Sequence, residues 1–238
     1  MQVKLNDIRA VGFDLDGTLI DTLPDLAAAV NAMLTALHGR TLPPARVQQL
    51  VGDGTDQLVL RALTESFGAP PATEAQRIAA QALFYRCYSV RLFDLSRIYP
   101  DTVETLRILA TAGFALCCVT NKSSRFALPL LEQAGLAGFF EFTLCADAPE
   151  LRKPSPALLL EACRRLEVPA REMLYVGDTH TDVVAAHAAG CAAVAVTFGY
   201  HKSGMLQTVS PEAIVPTLLD VTKYLRPAAQ SAAAIPQP

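Results

Sequence analysis

Apolar positions recur along the chain with two different periods. Ala10, Val11, Phe13 and Leu15 crowd the segment from Arg9 to Leu15 and Gly17 ends it, which predicts a short buried strand. Leu23, Leu26, Val30, Met33, Leu34 and Leu37 then follow at three-to-four spacing and predict a helix over Thr22 to Leu37. The helical spacing persists in shorter pieces from about Pro43 to Leu95. Val47, Leu50, Leu58, Leu63 and Phe67 fit amphipathic helices, Gly52-Asp53-Gly54 reads as a turn, Gly68 to Pro71 as a loop, and Ile78 to Tyr88 as a further helix. Beyond Pro100 the pattern alternates. Helices are expected over Thr102 to Thr111, Ser124 to Ala134, Pro156 to Leu166 and Asp182 to Ala189. Strands are expected over Ala115 to Val119, Phe142 to Cys145, Met173 to Val176 and Ala192 to Thr197.

Strands alternating with helices at this spacing imply right-handed crossovers and a parallel sheet covered on both faces. One strand precedes the helical block and the others follow it. The expected fold is therefore α/β: a Rossmann-like parallel sheet with helices on both faces, interrupted by an all-helical cap inserted after the first strand. In residue numbers, 1–22 and 98–226 form the core and 23–97 the cap. The uncharged stretch 227–238, rich in Ala, Pro and Gln, is a flexible tail.

Composition narrows the possible functions. Hydrophobic residues make up 51% and charged residues 18% of the 238, enough to build a core and to exclude global disorder. The net charge of −3 gives no basic footprint for nucleic acid, and the absence of Trp argues against a base-stacking platform. The longest apolar stretch, Val183 to Phe198, is broken by His187 and Gly190 and is too short to span a membrane. No signal peptide is expected at the N-terminus, and the six cysteines form no C-x-x-C pair. They read as reduced thiols, four of them in or beside apolar runs, in a cytoplasmic protein.

Open parallel sheets present their sites at the carboxyl ends of the strands. The first strand is followed by Asp14-Leu15-Asp16-Gly17-Thr18, the second ends in Thr120-Asn121-Lys122, Arg152-Lys153-Pro154 comes after the third, and the fourth ends in Gly177-Asp178 with Asp182 four residues on. Singly these are ordinary. Asp-Gly makes turns, Thr and Asn cap helices, and a lysine before proline is commonly a solvated loop charge. Together they bring four carboxylates and a lysine to one rim, and a divalent cation resolves that crowding. The chemistry that fits is phosphoryl transfer. One aspartate attacks phosphorus, the other moves the proton, and Thr120 and Lys153 hold the phosphoryl oxygens. Gly17 provides the permissive backbone for a tight turn.

Asp14-x-Asp16-Gly17-Thr18-Leu19, Val119-Thr120-Asn121-Lys122, Lys153-Pro154 and Gly177-Asp178-x-x-x-Asp182 together resemble the four motifs of the haloacid dehalogenase-like superfamily. The resemblance covers Val11 to Leu225, and a helical cap between the first two motifs matches one of that superfamily's cap classes. It implies Asp14 as nucleophile, Asp16 as acid and base, Thr120 and Asn121 at the phosphate, and Lys153 bridging phosphate and nucleophile. It also implies Mg²⁺ held by Asp14, Asp178, Asp182 and the backbone carbonyl of Asp16. Phe13 to Asp21, Val51 to Gly54, Arg61-Ala62-Leu63, Met173 to Asp178 and Thr197 to Tyr200 are similar to the bacterial phosphoglycolate phosphatases. Cys145-Ala146-Asp147 and Tyr99-Pro100-Asp101 depart from that family's usual Gly-Gly-Asp and Pro-Gly.

The resemblance implies a small phosphorylated metabolite as substrate, 2-phosphoglycolate first, for an enzyme acting as a monomer or homodimer without nucleic acid or membrane. A sugar phosphate or pyrophosphate substrate stays open, as does a sugar phosphomutase using the same two aspartates. Two other classes fit less well. A phosphorylation-switched receiver domain lacks a helical insertion, and a binding protein descended from a phosphatase would have lost Asp14, Asp16 or Lys153. In the cap, Gly52 in Val51-Gly52-Asp53-Gly54 permits close backbone approach to a small ligand. Arg61 is the expected partner of the substrate carboxylate, because a guanidinium pairs with it in bidentate fashion.

Overall fold

A computed structural model describes residues 5, 7–68, 73–201 and 204–225. Most of the loop expected at Gly68 to Pro71 and the tail from Pro227 lie outside the described residues. Strand β1 (Ala10–Phe13) is wholly buried at the middle of a six-stranded sheet. The others are β4 (Ala115–Thr120), β5 (Phe142–Cys145), β6 (Met173–Gly177), β7 (Ala192–Val196) and β8 (Ala213–Val215). Their order is β5-β4-β1-β6-β7-β8, and every pairing is parallel. Ala10 lies opposite Ala115 on one side and Met173 on the other.

Period-two alternation assigns the two faces. Val11, Phe13, Cys118, Val176 and Val196 face a layer that includes α5 (Thr102–Thr111) and α6 (Ser124–Gln133). Ala10, Cys117, Val119, Tyr175 and Ala195 face α7 (Ala157–Leu166) and α8 (His180–Ala189). Gly12 falls on the second face, where a Cβ would stand 2.6 Å from Met173 Cε and 3.0 Å from Tyr175 Cδ2. Its missing side chain lets Tyr175 lie across β1. All six cysteines are free, and Cys117, Cys118, Cys163 and Cys191 are buried. Among the described residues no helix is long and apolar enough to cross a membrane.

The first strand is shorter than expected. The chain leaves the sheet after Phe13, and Leu15 C=O accepts from the amides of Thr18, Leu19 and Ile20 in a tight turn. A two-stranded antiparallel ribbon, β2 (Ile20–Asp21) with β3 (Arg97–Ile98), escaped the periodicity because two residues carry no period. The edge strand β8, three residues long, escaped for the same reason. Between β2 and β3 lie α1 (Leu23–Ala36), α2 (Pro44–Gln48), α3 (Thr55–Phe67) and α4 (Glu74–Ser89).

Both crossings between the helical region and the sheet region are fastened at one residue. Asp25, fully buried in the first turn of α1, accepts from the amides of Leu95 and Ser96 and from Ser96 Oγ at 2.6 Å. Asp25→Ala strands these buried donors. We expect it to destabilise the protein by about 2–3 kcal/mol, read from urea unfolding. A loss below about 0.5 kcal/mol, the range of ordinary surface substitutions, would show that the fastening carries no weight.

Candidate active site

The parallel sheet delivers its strand ends to one rim. Asp14 and Asp16 follow β1, Thr120 ends β4, Lys153 stands in the loop after β5, Asp178 follows β6, and Asp182 lies in the first turn of α8. Lys153 is buried, and its ammonium sits 2.7 Å from Asp14 Oδ1, 2.7 Å from Asp182 Oδ1, 2.8 Å from Tyr175 Oη and 3.3 Å from the carbonyl of Val119. Tyr175 Oη itself donates to that carbonyl at 2.6 Å. The small residue at Gly12 thus admits the tyrosine that supports Lys153 from below.

Asp14, Asp178 and Asp182 offer carboxylate oxygens all within 4.8 Å of one another, and all three are buried. Burial pushes the Asp14 carboxyl up to about 6; Lys153 pulls against it, and Asp182 adds repulsion. Burial, then the charges of Asp182 and Asp14, raises Asp178 well above the carboxylate range. Burial works against the Lys153 ammonium too, but Asp14 and Asp182 outweigh it and raise its pKa. Three buried carboxylates with hard oxygen donors fit a divalent cation such as Mg²⁺.

Asp16 belongs to a different network. Its Oδ1 accepts from Thr22 Oγ1 at 2.6 Å and from Lys122 Nζ at 2.9 Å, and its Oδ2 stands 3.1 Å from the same ammonium. Its side chain therefore has partners separate from those of the trio, although it lines the same pocket. Gly17, at φ +86°, packs so tightly that a Cβ would stand 2.9 Å from Asp178 Cγ. Asp178 accepts from Thr18 Oγ1 at 3.2 Å and from the Tyr200 amide at 2.5 Å.

The helical region roofs this floor with Val51, Gly52, Gly54, Thr55 and Leu58. Two expected binding residues stand differently from expectation. Asn121 lines the pocket, but its Oδ1 accepts from the Lys153 amide at 2.7 Å and its Nδ2 donates to the carbonyls of Gly52 and Lys153. The amide clamps the lysine loop to the roof and is spent on backbone. Arg61 does not reach the pocket. Its guanidinium pairs with Asp53 and donates to the Leu50 carbonyl at 3.2 Å, facing an outer cleft. An acidic neighbour eight residues earlier in the chain captured the fork.

Several residues of the site were missed in the sequence. Lys122 belongs to the Thr120-Asn121-Lys122 segment, and nothing in the sequence pairs it with Asp16. Tyr200 Oη accepts from the amides of Thr22 and Leu23 and donates to Asp21, tying the start of α1 to the strand end that carries Asp178. Arg152 reaches across to Asp56 at 2.8 Å, and Asp56 is held in turn by Gln81 and Tyr85. No local signal marks these pairings, because each joins segments far apart in the chain.

The family model of the haloacid dehalogenase-like hydrolases matches residues 8–190. A phosphoglycolate phosphatase of Nitrosospira multiformis is 41% identical over 219 residues, covering 92% of this chain and 96% of that protein. A phosphoglycolate phosphatase of Neisseria gonorrhoeae is 39% identical over 230 residues, covering 95% and 97%. The crystal structure of a predicted phosphoglycolate phosphatase from Haemophilus somnus superposes with a TM-score of 0.87 at 33% identity, covering 92% of this chain and 98% of that one.

The packing around Asp178 makes a sharp test. A Cβ at Gly199 would collide with Asp178 Cβ and Oδ2. Gly199→Ala should lower kcat/KM by about 10²-fold, since a carboxylate displaced by an ångström loses its alignment. Wild-type turnover in this variant would remove Asp178 from the machinery.

Proposed function

Because this chain belongs to the haloacid dehalogenase-like hydrolases and is a phosphoric monoester hydrolase, we propose that it hydrolyses 2-phosphoglycolate to glycolate and phosphate through an aspartyl-phosphate on Asp14. The observation that carries the reading is the division of the two aspartates. Asp14 is held by Lys153 beside two further carboxylates, while Asp16 is held apart by Lys122 and Thr22. Two carboxylates in one pocket with separate partners suit separate tasks.

In this mechanism the Asp14 carboxylate attacks phosphorus. An O–P bond forms to the aspartate and the ester O–P bond breaks. Asp16 gives its proton to the departing glycolate oxygen. Water then attacks the phosphoryl group, Asp16 takes its proton, phosphate leaves and Asp14 is restored. Thr120 Oγ1 accepts from the Lys122 amide, so its own proton is free for a phosphoryl oxygen. Lys153 balances charge on the phosphoryl group as it transfers.

A Mg²⁺ ion would be held by Asp14, Asp178 and Asp182, with the backbone carbonyl of Asp16. When bound it neutralises the carboxylates facing an incoming dianion. The trio's all-oxygen donor set and its crowding support this assignment. Among the described residues, the roof residues Gly52 and Gly54 both hold positive φ, which suits a close lid over a small substrate.

Released phosphate, measured across 2-phosphoglycolate, glucose 6-phosphate, ribose 5-phosphate and pyrophosphate, tests the substrate. Phosphoglycolate should rank first in kcat/KM; a rank below second overturns the assignment. Asp14→Asn should remain folded and lose at least about 10³-fold in rate, as nucleophile removal does elsewhere. Chelation should abolish turnover and added Mg²⁺ should restore it, and full activity in excess chelator would remove the metal from the scheme.

A further inference from the structure

A phosphoglycolate set for attack by Asp14 brings a second anion into the pocket: a carboxylate on the carbon next to the ester oxygen. A buried anion needs a cation or a full set of donors. Among the described residues two cationic side chains line the pocket, Lys153 and Lys122. Lys153 stands at the phosphoryl end, and its three N–H groups already face four acceptors. Arg61 faces the outer cleft and is taken by Asp53. Arg152 is taken by Asp56.

Lys122 is differently placed. Its side chain is 1% exposed, and its ammonium meets the two oxygens of a single carboxylate, Asp16. Its remaining side lies 4.8 Å from the centre of the Tyr88 ring, contributed by α4 of the helical region. The Asp16 carboxylate, approached by both oxygens, and the Tyr88 side chain, whose hydroxyl also lies beside the ammonium, are its neighbours, and an acceptor arriving in the pocket competes with that hydroxyl for one of the three N–H groups. The ring excludes water, so an anion arriving there meets the ammonium in a poorly screened environment. The position is also right. Asp16 is the residue that must touch the ester oxygen, so the cation on Asp16 sits beside the atoms one carbon further along.

We propose that Lys122 is the specificity-determining residue: its ammonium, seated between Asp16 and Tyr88, binds the substrate carboxylate. The enzyme thereby selects phosphate esters that carry a carboxylate on the carbon next to the ester oxygen. The inference rests on the phosphoglycolate reading above. It moves carboxylate recognition from the cap, where Arg61 was expected to act, to the sheet rim, with the cap supplying only the aromatic backing.

The test compares kcat and KM for 2-phosphoglycolate and for ethyl phosphate, which has the same ester chain without the carboxylate, in wild type, Lys122→Met and Lys122→Gln with Mg²⁺ present. Wild type should prefer phosphoglycolate by at least about 10²-fold in kcat/KM, as a site built for a polar group rejects the analogue lacking it. In Lys122→Met that ratio should fall at least about tenfold, chiefly through a raised KM for phosphoglycolate. Lys122→Gln keeps a donor toward Asp16 and decides the question in the same way should the methionine variant not fold. A lysine that only positions Asp16 would lower kcat on both substrates by one factor and leave the ratio intact. That result overturns the inference while the phosphatase reading stands. A wild-type enzyme without preference for phosphoglycolate overturns the substrate assignment, and the inference with it.

Discussion

The ammonium of Lys153 makes the rest of the rim possible. Three aspartates, one after β1 and two at the junction of β6 and α8, share one buried space, and a lone lysine touches two of them. Neither burial nor repulsion favours that arrangement, as the upward displacement of Asp14 and Asp178 registers. Three carboxylates against one ammonium leave a deficit that a divalent cation matches in sign and size. The support beneath the lysine reaches deep into the fold. Tyr175 holds it from the sheet, Gly12 makes room for Tyr175, and the Val119 carbonyl closes the group at the end of the neighbouring strand.

The rim was legible in the sequence because its residues follow strands. Asp14 and Asp178 come just after recognisable apolar runs, Thr120 ends one and Lys153 lies in the loop beyond another, and a parallel sheet gathers such positions at one edge. Partnerships were not legible. Lys122 and Asp16 are separated by more than a hundred residues, as are Tyr200 and Thr22, and no periodicity reports such pairs. Arg61 shows the opposite hazard. Its residue type suited the task, but Asp53 lay close enough in the chain to claim it. The ribbon of β2 and β3 and the edge strand β8 were too short for any pattern to register.

The helical region is joined to the rim by polar contacts on either side of the Lys153 backbone. Asn121 connects the Gly52 carbonyl to the backbone of Lys153, and the adjacent Arg152 connects to Asp56 in α3. Movement of the roof therefore cannot leave the lysine loop untouched. In lidded enzymes closure both shuts out water and completes the constellation. Here both contacts end on the segment that presents Lys153, which couples access to the pocket with placement of its principal cation.

The position of β1 has a consequence for how the protein comes to exist. It is the central strand, yet both neighbours are encoded more than a hundred residues downstream, Ala10 pairing with Ala115 and Met173. During synthesis β1 is made before either neighbour and waits, unpaired and apolar, while the whole helical segment between them emerges. That segment is rich in local contacts and can form early, whereas the sheet depends on distant ones and forms late. The order of its elements thus leaves an apolar strand without either partner until β4 has been made.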